Sequence, residues 1–101
     1  MATAKTHSVT VSKEMSISHR EFFRTLPRVL ADKRYRRNGT TVEVADGARN
    51  LTITLAPEAK RQVGAIELPS TRVEFLFDGH TAPEVRAFIA EFDLHFRRGG
   101  G

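Results

Sequence analysis

The chain contains no cysteine and no tryptophan. With no thiol, disulfide bonds, thiolate nucleophiles and cysteine-ligated metals are all excluded, and the fold has to rest on packing alone. Long apolar runs are also missing: no stretch approaches the roughly 18 apolar residues of a membrane-spanning helix, and Met1 to His7 is small and polar, without the apolar segment of a secretion signal. The sequence therefore reads as a soluble cytoplasmic protein. Phosphate-cradling glycine loops, dinucleotide fingerprints and nucleophile elbows are absent as well. His7, His19, His80 and His95 are scattered, with no metal-ligand spacing among them. We expect no enzyme, no metal site and no cofactor.

What is present suits one small domain. Its 101 residues are 40% hydrophobic and include seven phenylalanines, enough for a single core and too few for a second domain. The expected domain is 1–101, with 1–7 and 99–101 as flexible tails. From Thr81 to Phe96, Val85, Phe88, Ile89, Phe92 and Phe96 recur at helical spacing on one side. Thr81 and Glu84 form a capping box, Pro83 is tolerated in the first turn, and the three terminal glycines are expected to stop the helix. An earlier helix opens at Ser18 with Glu21 and carries Phe22, Phe23, Leu26, Val29 and Leu30; Pro27 is expected to kink or divide it.

Between and before the helices the pattern changes to a period of two. Val9, Val11, Met15 and Ile17 alternate with polar residues, and only Lys13 breaks parity, as an inward charge does near a sheet edge. Asp32 to Gly39 reads as a loop or the start of a strand. Thr41–Ala45 and Asn50–Ala56 form a hairpin about Asp46 and Gly47. Arg61–Leu68 is expected as a strand with Gly64 in a bulge, Pro69 to Thr71 as a turn, and Arg72–Asp78 as a strand with Val73, Phe75 and Phe77 inward. The expected fold is α+β, in the order β-α-β-β-β-β-α, with an antiparallel sheet and both helices packed on one face.

From Val9 to Phe96 this order resembles half of a TATA-binding-protein-like fold, and equally a reduced helix-grip domain, which holds hydrophobic ligands beneath a long C-terminal helix. The runs Leu55-Ala56-Pro57-Glu58, Phe88 to Phe96 and Arg97-Arg98-Gly99-Gly100-Gly101 are similar to those of small uncharacterised bacterial proteins. The saddle-shaped DNA binders insert phenylalanines from the open sheet face. Here the outward positions, Thr10, Ser12, Glu14, Thr41, Glu43, Thr52, Thr54, Glu67, Arg72 and Glu74, include none and carry more acid than base.

The charge is +4 overall and strongly local: Arg20 to Arg37 carries +5 and the remainder −1. Arg20, Arg24 and Arg28 recur every four residues, and Lys33, Arg34, Arg36 and Arg37 follow, with Tyr35 among them able to stack on a base. Such a ridge suits an anionic partner, RNA or another nucleic acid or an acidic protein, although basic runs are commonly no more than solvated faces. A second apolar stripe, Ala87, Ala90 and Leu94, lies on the back of the last helix and would serve a weak homodimer, or simply be good helix formers in a monomer. The phenylalanine-rich interior suits a small hydrophobic-ligand carrier, or a core that fills itself. The expectation carried forward is a non-catalytic binding module using the basic ridge, with the ligand carrier and the homodimeric structural protein as alternatives.

Overall fold

A computed structural model describes residues 8–100, with side chains through Arg97. The tail expected at 1–7, with His7, and the final Gly101 lie outside the described residues. The observed order is β1 (Ser8–Met15), α1 (His19–Leu30), β2 (Arg34–Asn38), β3 (Thr41–Asp46), β4 (Arg49–Leu55), β5 (Ala59–Val63), β6 (Ile66–Asp78) and α2 (Ala82–Gly100). The fold is α+β, and every strand pairing is antiparallel. In space the strands run β1-β6-β4-β3-β2, with β5 continuing the line of β4 alongside β6.

One open reading resolves to a strand and two local expectations change. Asp32 to Gly39 contains a strand, β2, whose pairing with β3 begins at Asn38 opposite Thr41. Gly64 is not in a bulge but in a turn: its φ of +62° suits glycine, and the chain reverses there so that Val63 faces Ile66. Ile66, beside that turn, is 60% exposed. Pro69 to Thr71 is no turn either, because β6 runs straight through it. The Arg72 carbonyl accepts the Ala56 N–H at 2.9 Å. Backbone groups of successive strand residues point to opposite edges, so Ser70 shares the side of Arg72, and Pro69, with no N–H to donate, turns toward the free edge. No ladder bond is lost there.

The helices behave more nearly as expected. Ser18 accepts the Glu21 N–H at 3.1 Å and opens α1, and Pro27 sits exposed inside a helix that continues unbroken to Leu30. The cap of α2 is reciprocal, Thr81 N–H to Glu84 at 2.8 Å and Glu84 N–H to the Thr81 hydroxyl at 3.3 Å. Instead of stopping at Phe96, α2 runs through Gly99 to Gly100. Glycine costs a helix about 1 kcal/mol relative to alanine but does not forbid it.

Both helices cover the face formed by Val42, Val44, Leu51, Ile53, Leu55, Val73, Phe75 and Phe77, all buried. The centre is aromatic. Phe92 of α2 meets Phe75 edge-on at 4.9 Å and stacks on Phe96 at 4.2 Å, while Phe22 of α1 lies 5.1 Å from Phe96. Buried Thr71 donates from its hydroxyl to the Ile17 carbonyl at 2.8 Å, tying β6 to the start of α1. Lys13, the parity break, sits on edge strand β1 and pairs with Asp93 of α2 at 3.0 Å. Beyond the main sheet, β5 and the first half of β6 project as a two-stranded arm in which residues 59–67 are all exposed. The radius of gyration is 14.6 Å, above the roughly 13 Å of a compact chain of this size.

Candidate functional site

Edge strand β2 distributes the basic run. Arg36 pairs with Glu43 and Arg34 with Ala45, positions on the open side of the sheet, whereas Tyr35 pairs with buried Val44 and Arg37 with buried Val42, on the helix side. Period-two alternation thus splits the ridge between two faces. Arg34 and Arg36 open onto a shallow depression of about 620 Å³ that Tyr35, Glu43, Asn50 and Thr52 also line. On the helix side, the Arg37 guanidinium lies 3.5 Å from the centre of the Phe23 ring and its Nε donates to the Gly39 carbonyl at 2.9 Å. Tyr35 remains 44% exposed. Arg20, Arg24 and Arg28 are exposed along α1, Arg24 bonding Glu21 at 2.7 Å. The basic residues therefore form no single line: Arg34 and Arg36 open on one face of β2, Arg37 lies on the other, and Arg20, Arg24 and Arg28 are exposed on α1. Lys33 stands apart from them, lining a cleft between the helices.

That cleft, of about 270 Å³, is bounded by the end of α1, the start of α2 and the sheet. Sequence reasoning missed the polar group at its mouth. Arg49 bridges Asp46, at 2.9 Å, and Glu84. The Thr81 N–H bond holds the Glu84 carboxyl below its ordinary value, burial opposes this, and the positive charge of Arg49 adds to the lowering. His80 sits edge-on to Phe77 at 5.2 Å, and its Nδ1 is buried with no partner. The only sequence signals were a turn aspartate, an arginine three residues later and a capping glutamate.

The back-face stripe remains open. Ala87 and Ala90 are exposed and Leu94 is 51% exposed; Ala87 also borders the cleft. Of the remaining histidines, His19 contacts the Ala56 carbonyl at 2.8 Å and His95 pairs with Glu91 at 3.2 Å. Among the described residues no three metal-ligating side chains come together, and no helix is long and apolar enough to cross a membrane. Compared with known proteins, the chain matches no family model and no curated protein.

Proposed function

We propose that this is a non-catalytic binding module that takes an anionic partner along the β2 edge, and that single-stranded RNA is the partner whose chemistry fits. The observation behind this reading is that all five residues of β2 are exposed on an edge strand, with arginines on both faces and Tyr35 among them. Arg34 and Arg36 beside Asn50 and Thr52 offer charge and hydrogen bonds to phosphates. Tyr35 offers a ring on which a base stacks. A duplex has no aromatic wedge to receive on the open face.

Fluorescence anisotropy with a short labelled RNA tests this. Binding is expected to weaken with salt, by about 0.7 log units in affinity per tenfold salt for each phosphate contacted. Arg34→Ala with Arg36→Ala is expected to reduce that slope by about 1.4 at an unchanged melting temperature. Absence of RNA binding at about 50 mM salt, or equally tight binding of polyglutamate, would overturn the RNA assignment.

A further inference from the structure

Among the described residues, the strands with an unpaired edge are not equally protected. β2 and β5 are five residues long and carry Arg34, Arg36 and Arg37 or Lys60 and Arg61, and the free part of β6 carries Pro69. Short, cationic or proline-bearing edges resist pairing with a further strand. β1 has eight residues and no proline, and its one cation, Lys13, is neutralised by Asp93 at 3.0 Å. Its outward groups follow from the pairing. Since Arg72 turns its carbonyl toward Ala56, the odd-numbered residues of β6 turn toward β1 and bond Val9, Val11, Lys13 and Met15. Thr10, Ser12 and Glu14 therefore direct their N–H and C=O groups outward. The same strand carries an apolar projection and a recess. Val9, on the helix side opposite Phe77, is 37% exposed. Toward the other end of the strand, beside Met15, a groove of about 390 Å³ has buried Ile17 and Phe96 as its apolar floor. A two-fold axis through the strand brings each onto the other, which makes this edge self-complementary.

We propose that β1 pairs antiparallel with β1 of a second copy of this chain, about a two-fold axis at Ser12. In that register Ser12 faces the partner's Ser12, Thr10 faces the partner's Glu14, and Val9 meets the partner's Met15 at the groove. Thr10, Ser12 and Glu14 each gain ladder hydrogen bonds, and neither Lys13 nor Glu14 stands directly opposite its own counterpart, the arrangement that like charges destabilise. Moving the axis one residue on, to Lys13, sets that charge against itself; moving it one back, to Val11, takes Val9 off Met15. The two sheets become one, with their open faces on the same side and β2 at either end. The interface is thus separate from the β2 edge and from the back stripe of α2, and it does not rest on the RNA reading.

Sedimentation equilibrium of the full chain tests this. The mass is expected to rise from 11.3 kDa toward twice that value between about 1 and 200 μM, the range in which a modest interface associates. Ser12→Pro removes an N–H that points outward and leaves the pairing with β6 intact, so it is expected to weaken association about tenfold or more at a nearly unchanged melting temperature. Val9→Lys, at an exposed position, is expected to do the same, and it carries the test should the proline variant unfold. Leu94→Asp should leave association unchanged. Because the chain has no cysteine, the register is read directly by introducing one. Ser12→Cys places two thiols on residues whose Cα atoms are about 5.5 Å apart, within disulfide reach, and should crosslink rapidly with copper phenanthroline as oxidant. Glu14→Cys places them roughly 14 Å apart and should not. A monomer throughout the range, association undiminished in a folded Ser12→Pro or in Val9→Lys, association lost in Leu94→Asp, or Glu14→Cys crosslinking as fast as Ser12→Cys would each overturn the proposal.

Discussion

Glu84 shows how much one side chain contributes at two levels. It completes the cap of α2 through the Thr81 N–H and at the same time anchors Arg49 of β4, joining the start of a helix to the sheet beneath it. Because its folded-state carboxyl titrates below the ordinary 4.5, the unfolded chain takes up the proton first as pH falls. The stability it contributes is therefore complete above about that pH and is lost as the pH drops through the folded value. Glu84→Gln is expected to lower the melting temperature at pH 7, and the difference from the wild type should shrink steadily below pH 4.5. A difference that stays constant down to pH 2.5, followed by circular dichroism, would remove Glu84 from this role. Lys13 and Arg37 show the same economy at the sheet edges, one held by Asp93 and the other laid over Phe23. Both charges were visible in the sequence. Their partners, 80 residues away for Lys13, were not.

At the scale of elements, α2 carries the core on one side and presents an open stripe on the other. Phe92 is fully buried between Phe75 and Phe96 and also faces Phe22. Phe92→Ala is expected to cost about 3–5 kcal/mol by urea denaturation, because the cavity it leaves is walled by rigid rings. Leu94→Asp, two residues on and half exposed, should change stability by less than about 0.5 kcal/mol. If it also leaves the sedimentation behaviour unchanged at high concentration, the back stripe has no part in self-association. The helical period alone separates these two residues, placing Phe92 on the core stripe and Leu94 on the back. Strand β2 and the Pro69 segment are harder to read. A strand of polar, exposed residues has no apolar alternation to announce it, and proline reads as a break unless its missing N–H is known to face a free edge.

At the scale of the whole molecule, the body and the β5–β6 arm are separable in stability. Residues 59–67 are exposed throughout, and none of the buried hydrophobic core lies between Leu55 and Val73. Replacing Lys60 to Pro69 with Asn-Gly, which joins the paired residues Ala59 and Ser70 through a tight turn, should leave the melting temperature within a few degrees and reduce the radius of gyration. Loss of cooperative unfolding in that variant would mean that the arm supports the body. The arm carries Val63 and Ile66, both exposed, at its tip, while Pro69 keeps its free β6 edge from accepting another strand. RNA binding at β2 is expected to survive the shortening, since that site includes no arm residues.

The sequence by itself determined the α+β class, the two capped helices, the β3–β4 hairpin and the aromatic core. Each of these depends on periodicity or capping within a few residues, and local patterns of that kind are written directly in the chain. Tertiary structure alone decided which residues meet. It divided the basic run around β2 between two faces, took Lys33 away from it, extended β6 through a proline, and brought Asp46, Arg49, His80 and Glu84 to the mouth of one cleft. Those outcomes follow from strand order and register, which set both near pairings such as Asn38 opposite Thr41 and distant ones such as Arg49 beside Glu84, and leave no mark in the spacing of either partner.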